Sequence, residues 1–384
     1  MKVKIFISLF SIILLSSFVY TTHLFSLSKL DKALFKAVED GNKKKVAALI
    51  KKGADVNSGG HFKNPLNTAI KKGHTDIAIL LIKNGGKSKS LNRCNTSLDF
   101  ASKYGNFKLI KWIINQGKRT KKEVNIGHAV YVAASNKQSK IVKWYITKGY
   151  YKISKSDTYL MIAACSGGLT WLVKDLIAKG VSVNNAEDDF LGQPLHWAIS
   201  SNNIKTVQFL LSKGAGVNTK GQMGKTALIS AARYDNFNIQ KLLIQKGAKV
   251  NAKDDYGTTP LHNAARGNLR LCKLLIQKGA DVNAKDKEGR TPLHEAASNT
   301  TKKGQWKVVE LLINKGANVN AKDKEGMTSL HKSVRGLNIE IPKLLIKKGA
   351  KINTKNKKGE TPLDLAFFDK TKEFLKKQGA KSGK

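Results

Sequence analysis

Four histidines occupy the same position of a recurring tetrapeptide, and their spacing limits the chemistry that they could perform together. His196, His262, His294 and His331 each follow a Pro-Leu or Ser-Leu pair, at successive intervals of 66, 32 and 37 residues. Zinc-binding histidines and cysteines usually occur in pairs only a few residues apart, as in His-Glu-x-x-His or Cys-x-x-Cys. The chain contains neither pattern, so the sequence predicts no metal site and, at most, a row of separate histidines.

The three cysteines and one glycine-rich segment offer no better candidate for catalysis. Cys165 and Cys272 fall in predicted helices, where an unpaired thiol usually acts as a small apolar core residue. Cys94 falls in a predicted loop, and no cysteine has a histidine at a spacing typical of a nucleophile and its base. Residues 221–226 (Gly-Gln-Met-Gly-Lys-Thr) resemble a phosphate-binding loop only superficially. We therefore predict no catalytic residue, no cofactor and no enzymatic activity.

The composition restricts the class of protein and leaves the role of its charge open. Hydrophobic residues make up 41% of the 384 residues, which is enough for a packed core, and six prolines exclude proline-rich or collagen-like chains. The 69 Lys and Arg residues exceed the 27 Asp and Glu residues, so the formal net charge is +42. This excess indicates either an anionic polymer as partner or the compositional bias of an AT-rich genome combined with solubility.

The elements that position the histidines come in a repeat. A glycine follows an apolar, helix-like run at eleven places, with intervals of 30 to 37 residues. These glycines are Gly53, Gly86, Gly117, Gly149, Gly180, Gly214, Gly247, Gly279, Gly316, Gly349 and Gly379. Such a period predicts stacked repeats instead of independent globular domains. The longest interval indicates an insertion between Ser298 and Gly304.

One repeat, residues 289–320, shows how each unit is built. Thr291 and Pro292 are favoured at the N-cap and first position of a helix, and Leu293, Ala296 and Ala297 follow at helical spacing. A second apolar run, residues 308–313, predicts a second helix that ends at Gly316 in a left-handed C-cap. The polar residues that follow predict a protruding, hairpin-like connection.

This pattern resembles the ankyrin repeat family, whose unit of about 33 residues contains Thr-Pro-Leu-His-x-Ala. Residues 259–264 and 291–296 match that motif in full, and the resemblance covers residues 29 to 384. It implies an all-α fold, a solenoid of eleven stacked helix pairs with protruding hairpin loops. The repeats are expected to end near residues 57, 88, 121, 153, 185, 219, 252, 284, 321, 354 and 384.

The resemblance also implies which residues contact a partner and which support the fold. The hairpin tips and the position after the opening motif of the first helix are the expected contacts. They are Phe190, Met223, Tyr256, Lys287 and Lys324 at the tips, and Trp197, Asn263, Glu295 and Lys332 on the helices. The expected structural residues are Thr259, Pro260, His262, Thr291, Pro292, His294, His331, Gly279, Gly316 and Gly349, with the histidines bonding between neighbouring repeats.

Aromatic residues are concentrated in the repeats that depart most from the motif. Five of the nine tyrosines fall between Tyr131 and Tyr159, together with Trp144. They indicate either a recognition patch or aromatic side chains that fill an irregular core. Trp144 and Tyr145 stand where other repeats have Leu-Leu, which favours the core.

The first 28 residues differ from the rest of the chain. Lys2 and Lys4 precede a predominantly apolar run from Ile5 to Tyr20, which is typical of a signal peptide and short for a membrane-spanning helix. The small-residue cleavage pattern is poor, so an uncleaved signal anchor in contact with a membrane remains an alternative. Either outcome predicts the secretory route: a periplasmic, secreted or membrane-anchored protein, consistent with an AT-rich bacterium as the source.

These observations together predict a non-enzymatic scaffold that binds another protein of unknown identity. The predicted binding surface is the concave face and the hairpin tips of a monomeric solenoid. The alternative function is binding of an anionic polymer such as nucleic acid, acidic lipid or a cell-wall polymer, and non-specific polyanion binding is expected even if that function is absent.

Overall fold

The computed structural model describes residues 27–59, 64–88, 96–120, 125–184, 192–299, 301–336 and 339–383, without the side chains of residues 118–120. Nearly all of the predicted signal segment (residues 1–26), Cys94 and the predicted contact Phe190 lie outside the described residues. The described part of the chain contains 22 α-helices, one 3₁₀ helix over Gln222–Gly224 and no strand. The prediction of an all-α fold is therefore confirmed.

The helices follow one another in pairs along the chain. They are α1 (Lys29–Glu39), α2 (Lys43–Lys51), α3 (Pro65–Lys71), α4 (Thr75–Lys83), α5 (Ser97–Lys103), α6 (Phe107–Thr120), α7 (Ile126–Ser135), α8 (Ser139–Thr147), α9 (Thr158–Gly167), α10 (Thr170–Ala178), α11 (Pro194–Ser200), α12 (Ile204–Ser212), α13 (Ala227–Ala231), α14 (Phe237–Gln245), α15 (Pro260–Ala264), α16 (Leu269–Gln277), α17 (Pro292–Ser298), α18 (Trp306–Asn314), α19 (Ser329–Ser333), α20 (Glu340–Lys347), α21 (Pro362–Leu365) and α22 (Asp369–Lys377).

The described helices form two compact units, one ending at Leu172 and the other beginning at Val173. In the first unit, α1, α3, α5 and α7 each pack against the next helix along the chain and against the next odd-numbered helix. The second unit repeats this arrangement from α11 to α22, and α12, α14, α16, α18 and α20 form a second layer. Each unit is thus a stack in which every pair covers its neighbour, as expected for repeats that cannot bury their apolar faces alone.

Polar caps begin the helices at the predicted residues. Thr259, Thr291 and Thr328 have extended backbone and precede α15, α17 and α19, with a proline at the first helical position after Thr259 and Thr291. Several second helices begin after an asparagine; the Asn268 Oδ1, for example, accepts a 2.9 Å hydrogen bond from the Leu271 amide. These caps satisfy amides that the first helical turn leaves without partners.

Glycine ends most second helices, but two of the predicted glycines act differently. Gly279, Gly316 and Gly349 have φ values of +82°, +87° and +88°, which side chains with a Cβ rarely adopt. In the second repeat the left-handed residue is Gly85 (φ +82°) instead of Gly86, where an added Cβ would lie 2.8 Å from the Leu81 carbonyl oxygen. Gly117 lies inside α6, because a single glycine costs a helix only about 1 kcal/mol.

Leucine and alanine build the interface between the layers of the second unit. Leu261, Leu293 and Leu330 on first helices and Leu275 and Leu312 on second helices have no exposed surface. The first helices also bury Ala264 and Ala296, since a small side chain lets neighbouring helices approach closely. Burial of these apolar faces stabilises the packing of each helix pair against its neighbours.

Aromatic side chains replace part of this core in the first unit. Tyr145 is completely buried in α8, and its hydroxyl lies 3.0 Å from the Ser102 hydroxyl in α5. Burial raises the pKa of Tyr145 above the usual tyrosine value. The Trp144 ring contacts Phe107 and Tyr150 at centroid distances of 5.1 and 5.0 Å. This arrangement favours the core interpretation over a recognition patch for Trp144 and Tyr145.

We expect the substitution Tyr145→Phe to lower the free energy of unfolding of the first unit by about 1 to 2 kcal/mol, because it leaves the buried Ser102 hydroxyl without this partner. Urea unfolding of the full chain, followed by circular dichroism, measures the loss. The double variant Ser102→Ala, Tyr145→Phe removes both polar groups. Its loss in free energy of unfolding is expected to be smaller than the sum of the losses in the two single variants. Strict additivity of the two substitutions would contradict the hydrogen bond.

Candidate partner-binding surface

Four successive hairpin tips of the second unit are each closed by one carboxylate or amide. The Oδ1 atom of Asp254 accepts 2.9 Å hydrogen bonds from the backbone amides of Tyr256 and Thr258. Asp286, Asp323 and Asn356 accept the equivalent pairs in the next three repeats, all at 2.9 Å. Because an acceptor at this position fixes the turn, the hydrogen bonds within each of these tips define its backbone conformation.

Backbone hydrogen bonds join these tips into a continuous row. The Asp255 amide donates to the Met223 carbonyl at 3.0 Å, and the Lys287 amide donates to the Tyr256 carbonyl at 2.8 Å. One repeat further on, the Lys324 amide donates to the Glu288 carbonyl at 2.8 Å. The structure therefore brings four of the predicted contacts, Met223, Tyr256, Lys287 and Lys324, into one row, which we call the tip row.

The tip row presents two large apolar side chains to solvent. Met223 is 53% exposed and Tyr256 is 56% exposed, while Lys287 and Lys324 provide exposed cations further along. Met223 also has a left-handed backbone (φ +59°), a conformation that costs energy for a residue with a side chain. Exposed apolar groups on a backbone that is already ordered are favourable for binding, since little freedom is lost on contact.

The predicted contacts on the first helices divide into accessible and engaged residues. Trp197 and Asn263 are partly exposed, and the Asn263 amide donates to the Ile229 carbonyl at 3.2 Å. Glu295 is buried, and its carboxylate lies 2.8 Å from the Arg266 guanidinium and 3.7 Å from that of Arg290. Glu295 therefore positions two arginines instead of offering a free carboxylate.

Lys332 is also engaged within the chain. Its amine lies 2.8 Å from the Asp323 carboxylate, the same group that closes the hairpin tip of its repeat. The amine and two backbone amides hold the pKa of Asp323 below its usual range against the opposing effect of burial. The side chain remains 23% exposed, so Lys332 links the tip to the first helix.

Three of the four motif histidines, His262, His294 and His331, form the predicted bonds between repeats. His262 Nδ1 accepts from the Thr259 amide at 3.2 Å, and an amide can only donate, so the ring proton resides on Nε2. Nε2 then donates to the Arg290 carbonyl of the next repeat at 3.0 Å. His294 and His331 repeat this geometry toward the carbonyls of Met327 (3.0 Å) and Glu360 (3.2 Å).

These rings are held in the neutral form. Burial lowers the pKa of His262, His294 and His331 below the usual histidine value, although the hydrogen bond to the neighbouring carbonyl opposes this effect. At His196 the residue three positions earlier is Gln193, where the other three motifs have a threonine. Burial lowers the pKa of His196 to about 4. The row of histidines is thus a structural feature, and protonation would disturb it.

A row of asparagines connects the repeats beside the histidines, and the sequence analysis missed it. In seven repeats an asparagine Nδ2 donates, at 2.9 to 3.2 Å, to the carbonyl of the left-handed glycine that follows the second helix of the next repeat. The same side chain accepts through Oδ1 from a backbone amide at 2.7 to 3.0 Å. These residues are Asn57, Asn184, Asn218, Asn251, Asn283, Asn320 and Asn353. Their constant position, four residues after a glycine, was the available signal.

The substitution Asn283→Ala is expected to lower the free energy of unfolding of the second unit by about 1 to 2 kcal/mol. It removes two hydrogen bonds between repeats, to Gly316 (2.9 Å) and Asn318 (2.8 Å), and exposes both backbone groups to water. Chemical denaturation measures the loss, with Asn238→Ala at an exposed position of α14 as the matched control. An equal effect of the two substitutions would show that the asparagine row does not stabilise the stack.

The described residues contain neither a metal-binding cluster nor a membrane-spanning helix. No group of three His, Cys, Asp or Glu side chains there could hold a metal ion. None of the described helices has the length and apolar character that a membrane crossing requires. Cys165 and Cys272 are buried, and burial raises the pKa of both thiols. The described residues therefore offer a contact surface and no cluster arranged for metal or thiolate chemistry.

Comparison with known proteins places this surface in context. The family model described as ankyrin repeats (3 copies) matches residues 34–126, 130–221, 160–254, 195–286, 251–323 and 300–381. A curated relative from Rickettsia felis, described as an ankyrin repeat protein, is 39% identical over 77 residues. That alignment covers 20% of the chain and 33% of the relative, so the chain spans about a third of the length of the relative it matches.

Proposed function

Because the chain belongs to the ankyrin repeat family, whose repeats generally mediate protein–protein interaction, we propose that it is a non-enzymatic scaffold that binds another protein. The proposed contact surface combines the tip row with the accessible part of the first helices. The partner is a protein of unknown identity, and the scaffold acts as a monomer.

The observation that carries this proposal is the tip row itself. Met223 and Tyr256 are more than half exposed, yet hydrogen bonds between tips hold their backbone in one conformation. Contiguous exposed apolar groups often mark an interaction site, and the hydrogen bond from the Asp255 amide to the Met223 carbonyl makes the tips of Met223 and Tyr256 neighbours. Two ion pairs lie beside this surface. Glu295 pairs with Arg266, and Lys332 pairs with Asp323, which closes one of the hairpin tips.

A second candidate function, binding of an anionic polymer, is favoured by the net charge of +42. Several cations of the second unit, however, are already used within the chain. Arg290 pairs with Asp286 at 2.8 Å, and the amines of Lys253 and Lys322 donate to carbonyls of neighbouring repeats at 3.1 and 3.2 Å. We therefore rank protein binding first and assign the charge mainly to solubility.

Site-specific photocrosslinking tests the proposed function. A photoreactive phenylalanine analogue replaces Tyr256 in the full chain, and the control carries it at Lys241, exposed on the second-helix layer. In the cells that produce the protein, we expect Tyr256 to give a discrete protein adduct and Lys241 to give none. Adducts of equal pattern at both positions, or adducts with nucleic acid alone, would contradict the proposal.

For location, we propose that residues 1–28 direct the chain into the secretory route, where they are either removed or retained as a membrane anchor. The basic start and the apolar run support this proposal. Mass spectrometry of the N-terminus, combined with cell fractionation, distinguishes cleavage from anchoring. Recovery of the intact chain from the cytoplasm alone would refute both versions.

A further inference from the structure

Two adjoining cavities lie on the second unit, and one of them borders Arg266, whose ion pair with Glu295 is described above. The larger, of about 460 Å³, is lined by Trp197, Met223 and Lys225 among others. The smaller, of about 260 Å³, is lined by Asp235, Arg266 and Lys302 among others. Arg233 and Tyr234 line both cavities, so the two are neighbours, and we call them together the basic groove.

The larger cavity supplies an apolar end to the basic groove. The indole of Trp197 is partly buried, while Met223 and Tyr234 are 53% and 44% exposed. A methionine and two aromatic rings around a concave site match the residues that dominate binding energy at protein interfaces. This end therefore suits an apolar anchor side chain of a partner.

The other end of the basic groove supplies cations from three successive repeats. Arg233 is exposed, and Arg266 keeps 55% of its side chain exposed while Glu295 holds it at 2.8 Å. Lys302 comes from the insertion in the longest repeat and crosses the backbone of Gly267. A Cβ at Gly267 would overlap the Lys302 side chain, and the glycine has a φ of +129°. The glycine therefore leaves room for the lysine side chain in the position that it occupies, and a Cβ there would displace it.

The charges of the basic groove are complementary to a segment of limited negative charge. Lys225 and Arg233 line the larger cavity without an acidic side chain, whereas Asp235 lies among the cations of the smaller one. A nucleic acid carries a charge on every phosphate and would bring one of them against Asp235. A peptide can place its carboxylates only opposite the arginines and Lys302.

We propose that the basic groove binds a short acidic peptide segment that carries one large apolar anchor residue. The anchor occupies the cavity between Trp197, Met223 and Tyr234, and the carboxylates pair with Arg233, Arg266 and Lys302. This inference rests on the proposed function, because it names the chemistry of the protein segment that the scaffold binds.

Selection from a displayed library of random peptides of about ten residues, which extend to roughly 35 Å, tests this assignment on the full chain. At about 0.15 M salt, where screening acts over roughly 8 Å, we expect enrichment of peptides with several Asp or Glu residues and one aromatic or aliphatic anchor. Enrichment of peptides without acidic residues, or of no peptide, would overturn the inference.

The enriched peptides are then synthesised and measured against two charge variants of equal net charge. The groove variant is Arg233→Glu with Lys302→Glu, and the control is Lys241→Glu with Lys273→Glu on exposed positions of α14 and α16. We expect the groove variant to lose at least about tenfold in affinity, about 1.4 kcal/mol, and the control less than about twofold. Tyr234→Ser, which keeps every charge, is expected to weaken binding as well.

The remaining outcomes separate this inference from the proposed function. Equal binding by the groove variant and the control overturns the basic groove as the site. If the Tyr256→Ser variant then loses binding of the enriched peptides, the tip row is still supported as the contact surface. If that variant binds the peptides unchanged, the result counts against the proposed function too. Tighter, groove-dependent binding of a single-stranded thymidine oligomer of about ten nucleotides would assign the groove to nucleic acid and overturn the peptide inference.

Discussion

Lowering the pH from 7 to 5 is expected to destabilise the second unit by more than any single surface substitution. The folded chain keeps His196, His262, His294 and His331 neutral through a lowered pKa, whereas the unfolded chain protonates them near pH 6.5. The unfolded state therefore binds more protons below pH 6.5, and stability falls as the pH falls. For His196, with a pKa of about 4, the loss at pH 5 is up to about 2 kcal/mol.

The neighbouring charges modify this effect without reversing its sign. The carboxylates of Asp323 and Glu295 raise the pKa of His294, and Lys332 lowers it, but burial has the largest effect. Urea unfolding at pH 7, 6 and 5 measures the loss, and nuclear magnetic resonance follows the Hε1 shifts of the rings. His196 is expected to remain neutral at pH 5, and His262, His294 and His331 are expected to protonate at a lower pH than an ordinary histidine. An unfolding free energy that is equal at pH 7 and pH 5 would contradict the neutral histidine row.

Leu275→Ala is expected to lower the free energy of unfolding of the second unit by about 2 to 5 kcal/mol. Leu275 lies in α16 with no exposed surface, where α16 meets α14, α15 and α18. Truncation removes apolar burial and leaves a cavity, because three neighbouring helices hold the surrounding side chains in place. Since each repeat stabilises those next to it, the loss is expected to spread to the adjacent pairs.

The adjacent leucine provides the control. Leu274 belongs to the same helix but is only partly buried, so Leu274→Ala is expected to cost clearly less than Leu275→Ala. Hydrogen exchange measured by mass spectrometry locates the loss: protection is expected to fall in α14 and α18 as well as in α16. Equal losses for the two leucines, or a loss confined to α16, would contradict the stacked arrangement.

The repeating residues allowed the fold to be predicted because local and tertiary signals agree in each unit. Thr291, Pro292 and Gly316 begin and end helices by local geometry alone, and the apolar spacing between them sets the buried face. The two failures have different causes. At Gly86 two adjacent glycines are available, and the left-handed residue is the first of them, Gly85. At Gly117 the helix continues through the glycine to Thr120.

The candidate surface was only partly predictable. The tips were identified because their position in the repeat is regular, but the burial of Glu295 depends on Arg266, a residue of the preceding repeat. The basic groove depends even more on tertiary structure, since Lys302 comes from an irregular insertion and reaches its position over Gly267. A sequence period predicts where equivalent residues of successive repeats lie. It does not predict the positions of residues in an insertion.

That insertion has a practical consequence. The repeat that contains it is the longest, yet the bonds of Asn283 to Gly316 and Asn318 are as short as those in the regular repeats. The extra length between Ser298 and Gly304 is therefore absorbed in the connection between α17 and α18. A small genetically encoded fluorophore placed in this connection is expected to leave the molecule folded. Its emission would then report occupancy of the basic groove in living cells.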